Sequence, residues 1–343
     1  MTLSSREREV LVTIVEDYIS TAQPVGSRTV AKKSALHLSP ASMRNTMADL
    51  TDKGLLRQPH TSAGRVPTPD AFRYYLDTIL TLHPLAGDRR KRIAADLTGA
   101  GLDLPGVLDQ ASRVLSTFSN HISLVLAPSR EEVRWREIDF ALVKKGLVLA
   151  VLIMDGGMVQ NKLVEASPDV TVDDLRTFAN FLNDHFAGRT LSEARKRIAQ
   201  ECRDACRNLE EIYRRALRLA SEAVQAVESR EVFVGGAGNL FGYAEFADVN
   251  RIRDILRLLD ERTRLLGLLD KAIAGEGVKI LLGQDVEGEE LAECSVVSSR
   301  FGGETSTSGA VGIIGPLRMD YAAVVPMVDY IAKTLTSLLE SRF

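Results

Sequence analysis

Ser42, Arg44 and Asn45 stand close together, and His60, Ser62 and Arg65 lie within one polar stretch, Gln58-Pro59-His60-Thr61-Ser62-Ala63-Gly64-Arg65-Val66-Pro67-Thr68. These residue types suit recognition of nucleic acid. An arginine fork pairs with the acceptor edge of guanine, an asparagine amide pairs with adenine, and serine bonds a base or a phosphate. Arginine also suits the negative potential of a narrow minor groove. That favours Arg65 over His60, for which a phosphate contact and a turn histidine bonded to local backbone both stay open. The alternative for the whole set is the solvated polar face of a small helical scaffold.

Such side chains need elements to present them. Val10, Leu11, Ile14, Val15, Tyr18 and Ile19 recur at helical spacing, with Ser4 or Ser5 available as a cap. Pro24 and Gly26 lead to a second helix, which Ser27 is expected to cap, with Val30, Ala31 and Leu36 facing inward. Ser39-Pro40 opens a third helix and Gly54 closes it. Met43, Met47 and Leu50 share its inner face, which leaves Ala41, Ser42, Arg44 and Asn45 beside or opposite that face. Three short helices with tight turns form a helix-turn-helix, and the start of the third would meet base edges. Leu55-Leu56 and Val66 then read as strands flanking a small tip at residues 61–64, so the long connection reads as a wing. Residues 70–82 read as a fourth helix, with Phe72, Tyr75, Leu76 and Ile79 inward.

Composition bounds the rest. The chain has 343 residues, 45% hydrophobic and 26% charged, as expected of a globular protein with a sizeable core. No apolar run reaches the roughly 18 residues of a membrane helix. The polar N-terminus and three cysteines point to a reducing cytoplasm. Net charge is −3, and residues 1–83 carry ten Lys+Arg against eight Asp+Glu, or +2, which leaves −5 for the remainder. This asymmetry permits a DNA-binding head on an acidic body.

Other features read as structural. Val234–Gly242 resembles a glycine-rich phosphate loop but lacks the lysine such a loop needs, so a glycine turn is expected. Cys202 and Cys206 are an i, i+4 pair without further metal ligands, and Cys294 reads as a core strand residue. Glu131-Glu132 and Glu289-Glu290 fall on surface turns, and His121 and His185 have no nucleophile motif beside them. Arg89-Arg90-Lys91-Arg92 reads as a solvated helix face or a phosphate contact. Arg318 is expected to pair with an acidic residue and to join the body to the head or to a partner subunit. No enzyme activity, cofactor or metal is expected.

Beyond Pro84 the chain becomes charged and then glycine-rich, which reads as a linker. A helix follows at 104–119, then strands at 122–126, 137–143, 147–154 and 158–165, with Asp155-Gly156-Gly157 as a hairpin turn. The pattern is helical from 172 to about 219 and from 249 to 274. Strands return at 278–282, 293–299 and 308–314, before a last helix at 321–339. Strands on both sides of a helical block suggest one sheet domain interrupted by an insertion.

Leu38-Ser39-Pro40-Ala41-Ser42-Met43-Arg44-Asn45, Met47-Ala48-Asp49-Leu50 and the Gln58–Thr68 stretch closely resemble the HrcA family of heat-inducible transcription repressors. The likeness continues at Asn239-Leu240, Glu245-Phe246, Leu282-Gly283, Gly312–Pro316 and Arg318-Met319-Asp320-Tyr321. Phe72, Ala244 and Leu317 depart from the family pattern, where tyrosine, proline and threonine are usual. The resemblance implies a homodimeric repressor on an inverted-repeat operator upstream of chaperone operons, kept active by the chaperonin. It also implies an α+β fold: an N-terminal winged helix-turn-helix, then a GAF-like α+β domain with an inserted dimerisation domain. The expected organisation is a head at 1–83, a linker at 84–103, GAF-like parts at 104–168 and 251–343, and the insertion at 169–250. DNA contacts are assigned to Ser42, Arg44, Asn45, His60, Ser62 and Arg65. The alternative is a regulator sensing a small molecule through the GAF-like body.

Overall fold

The computed structural model describes residues 2–60, 63–99, 103–129, 133–155, 158–208, 211–225, 230–273, 275, 277–285, 289–303 and 308–342. It is an α+β protein. Ser62 and the turn glycines Gly156 and Gly157 lie outside the described residues, as do the side chains of Cys202 and Cys206.

The head begins with α1 (Ser5–Thr21), α2 (Ser27–Lys33) and α3 (Pro40–Asp52). Ser4 caps α1 in a capping box with Glu7. Gly26, not Ser27, occupies the cap position of α2 and offers no side-chain bond; Ser27 is the first helical residue. Ser39 caps α3 by accepting from the Ser42 backbone N–H at 3.2 Å, with Pro40 in the first turn. Gly54, at φ +77°, terminates that helix in a left-handed conformation that suits glycine. Strands β1 (Leu56–Arg57) and β2 (Val66–Pro67) pair antiparallel, Leu56 opposite Pro67. Helix α4 (Pro69–Thr78) is shorter than expected, ending before Leu82. Val10, Leu11, Ile14 and Val15 of α1 are buried with Met43, Met47 and Leu50 of α3 and Phe72 of α4.

The charged linker is partly ordered into α5 (Gly87–Thr98), because Ile93 and Leu97 are spaced to bury one stripe while Arg89–Arg92 stay exposed. Helix α6 (Leu104–Ser119) leads into β3 (Ile122–Leu126). A separate antiparallel sheet follows: β4 (Trp135–Lys144), β5 (Leu147–Met154) and β6 (Val159–Glu165). It packs on α7 (Val172–Phe186), α8 (Leu191–Asn208) and α9 (Glu211–Gln225), with one core from Trp135 to Ala223.

The chain returns through β7 (Val232–Gly235), α10 (Val249–Asp260), α11 (Arg262–Ile273), β8 (Val278–Leu282), β9 (Cys294–Gly302), β10 (Ser308–Pro316) and α12 (Tyr321–Arg342). Strands β7-β3-β10-β9-β8 form one antiparallel sheet in that order. Its alternating side chains are covered on both faces. Val125, Val297 and Val311 pack toward α6 and α12, and Leu124, Val296 and Ala310 toward α10 and α11. Buried Cys294 sits in this core, as expected.

The packing groups the elements differently from the boundary read at 168/169. Strands β4–β6 share neither sheet nor core with β3, so the separate unit opens near Trp135, and the chain rejoins the main sheet at β7 rather than after 250. The stretch read as a glycine turn begins with that strand: Val234 pairs with Leu124. Helix α12 is long and apolar enough, by length and composition, to cross a membrane. The sequence reading missed this because Asp329 and Lys333 interrupt the run. Its apolar stripe, Val324, Val328, Ile331 and Leu335, is buried in the protein core.

Head and body share an apolar core. The rings of Tyr18 in α1, Phe72 in α4 and Tyr321 in α12 follow one another at 6.4 Å spacings. Arg73 of α4 pairs with Asp285. Arg318 pairs with Glu245 and lies 3.5 Å from the Ile19 carbonyl, so it joins the body to the head of its own chain.

Candidate nucleic-acid interface

The local sequence fixes α3 so that its start faces outward. Met43, Met47 and Leu50 are buried at i, i+4 and i+7, which turns Arg44 and Asn45 to solvent and leaves Ser42 half-buried. Among the described residues, neither the Arg44 nor the Asn45 side chain has a hydrogen-bond or ion-pair partner. Two long polar groups are therefore presented without an internal role. Ser42 is more constrained. Its backbone carbonyl accepts from Arg6 Nη2 at 2.7 Å, and its hydroxyl lies 3.3 Å from that of Ser39.

The ribbon is tied down at its base. Arg65 and Val25 exchange two backbone hydrogen bonds, at 2.8 and 2.9 Å, which pin β2 to the connection between α1 and α2. The Arg65 side chain folds back and donates from Nε to Thr51 Oγ1 at 3.1 Å. Gly64 is required by this close approach, because a Cβ there would lie 2.4 Å from the Val25 carbonyl oxygen. Gln58 Nε2 donates to the Ala63 carbonyl at 3.2 Å across the ribbon tip. His60 is exposed, and its carbonyl accepts from the Ala63 N–H at 2.9 Å.

These elements enclose a cleft of about 560 Å³ lined by Gly26, Ser27, Arg28, Arg44, Met47, Gln58 and Ala63-Gly64-Arg65. The structure thus brings Arg44 and Arg65 to one concavity. Asn45, Ser42 and His60 are outside its lining, on the exposed start of α3 and on the ribbon. Two cations were missed by sequence reasoning. Arg28 lines the cleft from α2, and Arg6 reaches the start of α3 from α1. For Arg28 the available signal was its place in the first turn of the second helix; for Arg6 there was none, since only the fold brings residue 6 to residue 42.

Charge pairing sharpens the contrast between the two sides of the head. Lys53 binds Glu7 at 2.6 Å and Lys33 binds Asp17, so these cations are spent within the fold. The Lys53 ammonium, then the Ser4 cap, pull the Glu7 carboxyl down to about 2. Arg28, Arg44 and Arg57 have no carboxylate at ion-pair distance among the described residues. The face around the cleft and ribbon carries uncompensated positive charge of the kind that attracts phosphate.

The chain also has recognisable relatives among known proteins. Residues 106–325 match the family described as the HrcA protein C terminal domain. The chain is 48% identical over 345 residues to the heat-inducible transcription repressor HrcA of Nitratidesulfovibrio vulgaris (strain DSM 19637 / Miyazaki F), covering 99% of this chain and 97% of that protein. It is 39% identical over 338 residues to the repressor of the same name from Geobacter sulfurreducens, covering 98% of each. A solved structure described as a hypothetical protein at 2.2 Å resolution aligns with the whole of both chains, with a TM-score of 0.64 at 21% identity, a likeness of fold.

Proposed function

The chain belongs to the HrcA family of heat-inducible transcription repressors, and from that premise we propose that it binds an inverted-repeat operator upstream of chaperone genes as a homodimer kept active by the chaperonin. In this reading residues 1–83 are a winged helix-turn-helix, with α3 as recognition helix and β1–β2 as the wing. The observation that carries it is the pair Arg44 and Asn45, exposed on the first turns of α3 with no internal partner among the described residues, beside the Arg28–Arg65 cleft. A helix end of this kind fits the major groove, where Arg44 reads guanine and Asn45 adenine. Ser42 reads a base beside them, His60, Ser62 and Arg65 contact backbone or minor groove, and Arg28 adds a phosphate contact.

An inverted repeat calls for a two-fold dimer. The outer face of β4–β6 supplies a surface for it. Leu149 lies between Ala141 and Leu163, and Ile153 lies next to Val159. Val159 and Leu163 are 59% and 55% exposed, and Glu137, Asp139, Lys144 and Glu165 rim the stripe. Apolar centre with charged rim is the anatomy of a protein interface. The unit from Trp135 to Ala223 is then the inserted dimerisation domain, and the five-stranded sheet with α6 and α10–α12 is the GAF-like body. The dimer, acting in the cytoplasm, blocks polymerase by occupying the operator. Heat draws the chaperonin to unfolded proteins, and repression falls.

The test is binding to an inverted-repeat DNA from a chaperone promoter against scrambled DNA at fixed salt, with and without chaperonin. Specific binding that rises with chaperonin is expected. Specific binding indifferent to chaperonin moves the switch to temperature itself, and no preference for the repeat overturns the DNA reading.

A further inference from the structure

The Glu245-Phe246 and Arg318–Tyr321 stretches lie outside the three-helix head and meet at the seam between head and body. Arg318 Nη2 donates to Glu245 Oε2 at 3.1 Å, and its Nε donates to the other carboxylate oxygen. Both side chains are only 16% exposed. The guanidinium also lies 5.6 Å from the ring centre of Tyr243. A two-bonded fork held over an aromatic face, mostly out of water, has one geometry.

The remaining arm of the fork points at the head. Arg318 Nη1 is 3.5 Å from the Ile19 carbonyl, 299 residues away in sequence and in the last turn of α1. The carbonyls of a last helical turn lack intrahelical donors and carry partial negative charge. Helix α1 has no basic residue of its own in that turn. The body supplies the cation that the head's first helix lacks. The Tyr18–Phe72–Tyr321 ring contacts run beside it, so α1 and α4 are both seated on the body near this point.

We infer that Arg318, clamped by Glu245, is a positioning residue that sets the angle of the DNA-binding head on the body and thereby the half-site spacing the dimer selects. This rests on the operator reading above. Arg318 touches no DNA; it acts by holding α1, and through it α3, in one orientation. Two heads fixed on a dimeric body gain from binding together when the operator spacing matches their separation, and lose that gain when it does not.

The experiment uses the full chain, with Arg318→Lys, which keeps charge but loses the fork, and Glu245→Gln, which keeps shape but loses charge. Affinity is measured for one half-site and for inverted repeats whose spacer is varied one base pair at a time. Thermal unfolding confirms that each variant is folded, and the milder Glu245→Gln carries the test should Arg318→Lys fail to fold. Half-site affinity within about twofold of the parent is expected. Affinity for the best-spaced repeat is expected to fall about tenfold, with a flattened spacing profile. An unchanged, sharp profile in both variants overturns the inference while leaving the operator reading standing. An equal loss on half-site and repeat also overturns it, since the damage would then lie in the head itself. A parent protein indifferent to the second half-site overturns the operator reading and this inference together.

Discussion

At the scale of single residues, the head separates exposed groups proposed to contact DNA from groups that hold the scaffold. Arg44 is exposed and has no internal partner among the described residues, so Arg44→Ala should abolish specific operator binding and change stability by no more than about 0.5 kcal/mol. Retention of full affinity in a salt-controlled binding assay would remove Arg44 from the site. Arg65 lines the cleft and is also bonded into the scaffold. Losing its 3.1 Å bond to Thr51 should cost about 1 kcal/mol in addition to any loss of affinity, measured by denaturant unfolding. Gly64→Ala is expected to be worse than Arg65→Ala, because its Cβ would meet backbone at 2.4 Å rather than a flexible side chain. Arg44 and Asn45 were legible in the sequence because helical periodicity alone turns them outward. Arg28 and Arg6 were not, because their value comes from neighbours that only the tertiary fold brings close.

At the scale of elements, local patterns carried most of the information. Ser39-Pro40 and Gly54 bounded α3, and β3, β5 and β8 fall where alternating or continuous apolar runs ended at turn residues. The misses share a cause. Strand β7 is short and ends at Gly235, where a Cβ would lie 2.8 Å from the Ser112 carbonyl, so the glycines that suggested a loop are there for close packing on α6. The grouping of β4–β6 with α7–α9 depends on which buried faces meet, which periodicity does not encode. Two element junctions also make acid stability predictable. His121, buried beside Arg318 and 2.9 Å from the Tyr243 hydroxyl, is pushed down to about 4 by burial first and by Arg318 second. Its folded value lies below the unfolded 6.5, so its contribution is present above pH 6.5 and is lost as pH falls toward 4. Glu7 follows in a lower window, its contribution present above pH 4.5 and lost toward 2. Stability measured by unfolding should therefore drop by up to about 1 kcal/mol per pH unit below 6.5. His121→Gln should flatten the upper window and Glu7→Gln the lower; an unchanged slope in either variant would reassign that window.

At the scale of the whole molecule, a dimeric repressor of the proposed kind would depend on geometry that no single head contains. In the proposed reading one head would offer a few phosphate contacts and one or two base pairings, so tight operator binding would need two such heads bound at once. In the proposed dimer the separation of the heads would be set by a chain of joints: α3 on α1, α1 on the body, and the Trp135–Ala223 unit against its counterpart. The outer face of β4–β6 would be the last joint. Val159 and Leu163 stand on it opposite Ile153 and Leu149, and their exposure means that changing them disturbs no core within the chain. Val159→Lys combined with Leu163→Glu would set charge on an apolar stripe, at a desolvation cost large enough to dissociate a dimer formed there. Sedimentation at micromolar concentration should show a monomer with unchanged thermal unfolding of each chain's core. The monomer should still bind an isolated half-site with the parent's affinity and lose the additional affinity for the inverted repeat. A variant that stays dimeric would place the two-fold contact on another face, and a monomer that keeps full affinity for the repeat would show that the two heads act independently.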